Sequence, residues 1–148
     1  MDSQPTLSNE LRKLVEVRIE HTLKGIEDTL RHIMEKEEIS LVDLKEDIKS
    51  LEESFNLLSQ KWNLEILYIL FLKNTISFGG LKKILGVNSR TLSDKLKSLK
   101  QHAYIERAVE TGPPVRVQYT LTTKGRNTVL LALPLLYYSS SSISLQAP

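Results

Sequence analysis

The sequence predicts a mainly α-helical protein of the α+β class, in which a series of helices is followed by one β-hairpin. Two observations indicate this. Apolar residues recur at helical spacing over residues 7–33, 41–58 and 87–99, which is typical of amphipathic helices. After Tyr104 the apolar residues alternate with polar ones, which is the period of strands, and a Gly-Pro-Pro turn at 112–114 interrupts the alternation.

Residues 1–58 are predicted to form a helical extension of two amphipathic helices. The first covers residues 7–38, with Ser8 as its N-cap, and the second follows Ser40, with Asp43 in the capping-box position. Two such narrow apolar faces should not stay exposed to water, so the helices should pack on each other, on the domain that follows or on a second copy. Of these we expect the second copy, so that the extension mediates dimerisation. The second helix carries a short heptad seam of apolar residues at alternating steps of three and four, namely Leu41, Leu44, Ile48, Leu51, Phe55 and Leu58.

Residues 59–126 are predicted to form one compact domain. Its first helix, residues 61–73, is apolar almost all round, as expected for a helix at the centre of a small core that includes Trp62. Asn74 ends this helix, and Thr75 or Ser77 caps a short helix that stops before Gly86. The next helix has one apolar face, and two helices joined by a short glycine-containing turn indicate a helix-turn-helix. The residues of that face are Val87, Leu92, Leu96 and Leu99.

The hairpin after Tyr104 would add a two-stranded wing to the helix-turn-helix. Such a domain suits duplex DNA, because the major groove admits a helix and a hairpin can reach the adjacent groove or backbone. Thr122 is predicted to open a last helix that meets Pro134. Residues 127–148 are therefore predicted to be a C-terminal helix with a disordered tail.

Charge separates along the chain in a way that supports a nucleic-acid surface. Residues 1–59 hold 8 basic and 14 acidic side chains, whereas residues 60–126 hold 12 basic and 4 acidic ones, a net charge of +8. A basic domain beside an acidic segment favours double-stranded DNA as the partner of the basic part. Two solvated faces whose charges happen to segregate are the alternative.

Several functional classes find no support in the sequence. There is no cysteine, which excludes disulfides and thiolate metal sites. No spacing of histidine and carboxylate residues predicts a metal site, and no nucleophile motif or phosphate loop predicts an enzyme or a cofactor. The longest apolar run, Val129–Tyr138, is too short to span a bilayer, and no secretory signal is present, so we expect a cytoplasmic protein without membrane contact.

Several motifs resemble the HxlR family of winged helix-turn-helix transcriptional regulators over roughly residues 55–130. They are Lys61-Trp62, Ser77–Leu81, Ser89–Ser93 with Leu96 and Leu99, and Pro113–Thr122 followed by Gly125-Arg126. The resemblance implies a homodimeric DNA-binding regulator. The chain departs from the family at Gln60 and Ala103, where glycine is usual, and in its long N-terminal extension. Many family members sense electrophiles or oxidants through an N-terminal cysteine, and that mode does not carry over to a chain without cysteine.

Candidate DNA-binding residues lie on the predicted recognition helix, on the helix before it and on the wing. Arg90 can pair bidentately with guanine, although the alternative is that it lies on a solvated helix face. Asp94 can accept from cytosine N4 or pair with Arg90 or Lys97. Ser89 is predicted to be an N-cap first and a phosphate contact second, and Arg116 either reaches the minor groove or its phosphates or pairs with a neighbouring acid. The full set is Ser89, Arg90, Thr91, Ser93, Asp94, Lys97, Lys82, Lys83 and Arg116.

The sequence therefore predicts a sequence-specific transcriptional regulator that acts as a homodimer. Two other classes stay open at this stage. One is a chromatin-type protein that coats DNA without sequence choice, and the other is a winged helix that docks proteins, because a fold does not fix a function. No feature of the sequence marks a pocket for a small-molecule effector.

Overall fold

The computed structural model describes residues 6–36 and 40–139. Within those ranges no helix is both long and apolar enough to cross a membrane. The chain forms α1 (Thr6–Lys36), α2 (Leu41–Ser59), α3 (Asn63–Lys73), β1 (Thr75–Ser77), α4 (Phe78–Leu85), α5 (Ser89–Gln101), β2 (Ile105–Glu110), β3 (Arg116–Leu121) and α6 (Thr123–Ser139). The predicted mainly α fold with a winged helix-turn-helix is confirmed.

The two N-terminal helices form close to where the sequence predicts them. The prediction of Ser8 as an N-cap is wrong, because α1 already begins at Thr6 and Ser8 lies inside the helix. Ser40 does cap α2, since the Asp43 N–H donates to the Ser40 hydroxyl oxygen over 3.1 Å. Residues 37–39 and most of the predicted tail, 140–148, lie outside the described residues.

Helix α3 begins two residues later than its apolar pattern predicts. Trp62 adopts a left-handed conformation with φ of 79°, so Lys61 and Trp62 belong to the turn between α2 and α3 rather than to the helix. Asn63 is fully buried, and its side-chain Nδ2 donates to the Leu57 carbonyl over 2.7 Å. The same carbonyl, at the C-terminus of α2, also accepts from the Gln60 N–H over 3.3 Å, so the Asn63 side chain adds a second donor to it. Trp62 packs against the core but is only half-buried, because the turn places it at the edge.

The main hydrophobic core joins α3 to the helix-turn-helix and the sheet. Asn74 ends α3 with a φ of 63°, and Ser77 caps α4 by accepting from the Gly80 N–H over 3.0 Å, both as predicted. The buried face of α5 is the predicted one, except that Val87 precedes the helix and is half-buried. Buried residues of this core include Ile66, Leu67, Leu70, Leu81, Leu92, Leu96, Leu99, Ile105, Tyr119 and Val129.

The sheet has three antiparallel strands in the order β1-β3-β2, rather than the two of the predicted wing. The additional strand, β1, pairs with β3 through Thr75 with Thr120, Ile76 with Tyr119 and Ser77 with Gln118. A three-residue strand is too short to show an alternating pattern in the sequence, so β1 was not predicted. It forms because β3, from a distant part of the chain, supplies its hydrogen-bond partners. The wing strands β2 and β3 pair from Ile105 with Leu121 to Glu110 with Arg116.

Helix α6 is anchored where it meets the start of the wing. Thr122 opens the helix as predicted, since its hydroxyl accepts from the Gly125 N–H over 3.0 Å and donates to the Ala103 carbonyl over 2.6 Å. Its backbone N–H also donates to the Tyr104 carbonyl over 3.1 Å. The helix continues through Pro134 to Ser139.

The chain divides into two units. One comprises residues 50–131, and the other comprises the described residues of 6–49 together with 132–139. Large apolar side chains are exposed on both N-terminal helices: Leu23, Ile26 and Leu30 of α1 are 50%, 52% and 55% exposed. The predicted domain boundaries at residues 58 and 126, and the dimerisation role of the extension, remain predictions.

Ala103 occupies the left-handed conformation at the turn after α5, with φ of 64°. An alanine there is strained, because its Cβ approaches the following carbonyl oxygen. We expect Ala103→Gly to raise the free energy of unfolding by about 1 kcal/mol, after the greater freedom of glycine in the unfolded chain is deducted. Thermal or urea denaturation measures this change.

Ala108→Gly is the matched control for Ala103→Gly. Ala108 lies in strand β2 and is exposed, so the same substitution should lower stability there. If Ala103→Gly destabilised the protein as Ala108→Gly does, the left-handed turn would not be the strained element.

Candidate nucleic-acid interface

Helices α4 and α5 form the helix-turn-helix, and Gly86 makes the turn between them. Gly86 ends α4 in the left-handed conformation with φ of 68°, and its N–H donates to the Lys82 carbonyl over 2.9 Å. Glycine adopts this conformation without a steric cost, so the chain can leave α4 and enter α5 within a few residues. The apolar face of α5, with Leu92, Leu96 and Leu99, is buried and fixes the rotation of the helix about its axis.

The N-terminus of α5 is capped by Asn88, and the prediction that Ser89 is the N-cap is wrong. The Thr91 N–H donates to Asn88 Oδ1 over 2.8 Å, and Ser89 is the first residue inside the helix. Asparagine and serine are both favoured N-caps, so adjacent candidates cannot be separated by preference alone. The hydroxyl of Ser89 is therefore not used as a cap and stands exposed beside the free N–H groups of the first turn.

The polar face of α5 is open along its length. Of the predicted residues on this helix, Thr91 alone is half-buried, with its backbone N–H taken by the cap. A helix of 13 residues is about 20 Å long, enough to lie across a major groove about 12 Å wide. The exposed predicted residues are Ser89, Arg90, Ser93, Asp94 and Lys97.

The remaining predicted residues lie on the two elements that flank α5. Lys82 and Lys83 are exposed on the last turn of α4. Arg116 is exposed at the first position of β3 and lies opposite Glu110 of β2 in the strand register. Among the described residues, Arg116 makes no ion pair with Glu110 or with any other acid. Its guanidinium is therefore open to solvent near the tip of the wing.

Two lysines hold α5 in place through contacts that the sequence did not predict. Lys95 donates to Gln60 Oε1 over 3.1 Å, which ties the middle of α5 to the turn before α3. Lys124 donates to the His102 carbonyl over 3.0 Å and lies 4.4 Å from the centre of the Tyr104 ring. A cation at a helix C-terminus offsets the negative end of the helix dipole, and the ring adds a cation–π contact. Both contacts are long-range, so no local pattern could have revealed them.

The described part of the chain contains no cluster of His, Asp or Glu residues able to hold a metal ion. The interface is built instead from one polar helix face, two flanking lysines and an arginine on a hairpin. The exposed cations of this arrangement match the phosphates and base edges of duplex DNA.

Comparison with known proteins also identifies a helix-turn-helix protein. A family model described as HxlR-like helix-turn-helix matches residues 57–141, which is more than half of the chain. The chain belongs to the HxlR-like helix-turn-helix family. The matched segment begins at the end of α2 and contains the whole helix-turn-helix, the wing and α6. Most of α1 and α2 precedes it.

Two proteins similar to this chain are HTH-type transcriptional regulators. The chain is 32% identical over 77 residues to the HTH-type transcriptional regulator YdzF of Bacillus subtilis, covering 51% of this chain and 71% of the relative. It is 34% identical over 76 residues to YodB of the same organism, covering 51% and 67%. The reduced form of YodB superposes with a TM-score of 0.58 at 26% identity, over 66% of this chain and 96% of YodB.

This HxlR-like protein is thus a DNA-binding transcriptional regulator and not an enzyme. The resemblance on residues 55–130 is confirmed by the family match. The departure from glycine at position 103 leaves the turn intact, because Ala103 takes the left-handed conformation that glycine would adopt.

Proposed function

We propose that the protein binds a specific DNA sequence as a homodimer, with α5 in the major groove and the wing on the adjacent minor groove or backbone. The observation that carries this proposal is the polar face of α5. Arg90, Ser93 and Lys97 are exposed there, while Leu92, Leu96 and Leu99 anchor the opposite face. A helix anchored in this way presents its donors at fixed positions, which base-edge recognition requires.

The homodimer is supported by apolar surface that the described chain leaves uncovered. Ile48 and Leu51 of α2 are 47% and 69% exposed, and Leu131 of α6 is 73% exposed. Exposed apolar faces of this kind mark association surfaces. A two-fold dimer would also place two copies of α5 on half-sites about one helical turn of DNA apart, or a multiple of it.

Selection from random oligonucleotides tests sequence specificity, and sedimentation of the full chain tests the homodimer. We expect one palindromic site to be enriched and the free protein to be a dimer at micromolar concentration. Binding of equal strength to all sequences would instead support a chromatin-type coat. Absence of DNA binding at low salt would support a protein-docking module, and a monomer bound one copy per site would exclude the two-fold arrangement.

Electrostatic contacts are expected to supply the main part of the affinity, because residues 60–126 carry a net charge of +8. We expect Lys82→Ala and Lys83→Ala each to weaken binding on all sequences and to lower the slope of log affinity against log salt by about 2, because a homodimer loses one phosphate contact from each protomer. The measurement is a salt titration by fluorescence anisotropy. Lys24→Ala in the acidic N-terminal segment is the control and should leave the slope unchanged. An unaltered slope in both α4 variants would show that neither lysine contacts DNA phosphates.

Regulation through a thiol is not part of this proposal. YodB has been solved in reduced, diamide-treated and quinone-bound forms. The present chain contains no cysteine, so it offers no thiol to modify.

A further inference from the structure

The apolar seam of α2 is exposed from its first position to its last turn. It consists of the residues that recur at steps of three and four along this one helix. Only its last member, Leu58, packs against the core of the same chain. Leu41, Leu44, Ile48, Leu51 and Phe55 are 83%, 41%, 47%, 69% and 56% exposed. A seam of this spacing is the surface that pairs helices in a coiled coil.

We propose that α2 pairs with α2 of a second copy in the antiparallel direction; this inference rests on the homodimer of the proposed function. The antiparallel register that places Ile48 against Leu51 of the second copy also places Leu44 against Phe55. It further brings Leu41 opposite Leu58. All seam residues therefore find an apolar partner in one register, and the two-fold axis makes each contact occur twice.

The charges beside the seam select the antiparallel direction over the parallel one. In the antiparallel register Lys45 lies beside Glu52 of the second copy, which gives two attractive pairs by symmetry. In the parallel alternative Asp47 would lie beside Glu52 of the second copy, which gives two repulsive pairs. Charges that flank a seam are the positions that set helix orientation in coiled coils. Lys45, Asp47 and Glu52 are all exposed, and none makes an ion pair with another side chain in the described ranges.

Cysteine cross-linking tests the direction cleanly, because the native chain has no thiol of its own. In the antiparallel pair, residue 44 of one copy lies near residue 55 of the other, while the two copies of either residue are about 16 Å apart along the helix axis. A disulfide cannot bridge that separation. We therefore expect neither Leu44→Cys nor Phe55→Cys alone to form a covalent dimer under mild oxidation, and we expect the mixture of the two to form one.

The opposite cross-linking results overturn the proposal. A covalent dimer of Leu44→Cys alone or of Phe55→Cys alone would show parallel helices. No cross-link in any combination, from a protein that still sediments as a dimer, would place the interface elsewhere and leave the proposed function intact. A protein that sediments as a monomer would instead remove the homodimer itself, and this inference with it.

Charge exchange supplies a second measurement that leaves the seam unaltered. Glu52→Lys should raise the dimer dissociation constant about tenfold, because two attractive pairs become repulsive. Adding Lys45→Glu in the same chain should restore the constant to within about threefold of the native value, and the differences should shrink at high salt. If Glu52→Lys tightened the dimer, the parallel arrangement would be the correct one, since the introduced ammonium group would then face Asp47.

Discussion

Gly125→Ala should destabilise the DNA-binding unit by about 3 kcal/mol or more, at or beyond the upper end of what overpacking ordinarily costs. A Cβ at position 125 would collide with the Tyr104 carbonyl oxygen and would also lie 3.1 Å from Leu121 Cδ2. The oxygen belongs to the backbone and already accepts from the Thr122 N–H. Neither α6 nor the start of β2 can move aside without breaking that bond and the Thr122 cap.

Thermal unfolding followed by circular dichroism measures the effect of Gly125→Ala. A loss of about 3 kcal/mol should lower the melting temperature by roughly 12–24 °C in a unit of this size. Gly79→Ala is the matched control, because a Cβ at Gly79 meets nothing within 4 Å and alanine is the better helix former inside α4. A Gly125→Ala protein that melts like the Gly79→Ala control would mean that α6 does not seat tightly on the wing.

Arg90→Ala should weaken binding to the preferred DNA site by about 1–3 kcal/mol and should change binding to random DNA little. Arg90 is the second residue of α5 and is exposed on its polar face. The N-terminal residues of a recognition helix are those that reach base edges, and a guanidinium there can donate twice to a guanine. The measurement compares affinities for the selected site and for a scrambled duplex at one salt concentration.

Arg90→Lys is the control that separates charge from geometry. Lysine keeps the positive charge but lacks the planar fork that donates two parallel hydrogen bonds. We expect Arg90→Lys to lose most of the discrimination between the two duplexes while keeping the salt dependence. Equal losses on both duplexes in Arg90→Ala would show that Arg90 contacts only the backbone, and α5 would then owe its specificity to other side chains.

Among the individual elements, those whose signals are local were predicted well. The Ser40 and Ser77 caps, the end of α3 at Asn74 and the buried face of α5 follow from residues within a few positions of one another. Errors occurred where neighbouring residues compete for one role. Asn88 took the cap that was assigned to Ser89, and Trp62 entered a turn rather than α3, since both boundaries depend on how the adjacent segments pack.

By itself the sequence determined that this protein has a winged helix-turn-helix, which face of α5 is apolar and which side chains lie on its polar face. Periodicity and charge suffice for this, because they are properties of short segments. Tertiary structure alone decided that β1 joins the sheet, that Lys95 and Lys124 hold α5 rather than remaining free, and that Gly125 must lack a side chain. Each of those contacts joins residues far apart in the chain, and only the packed fold brings them within reach.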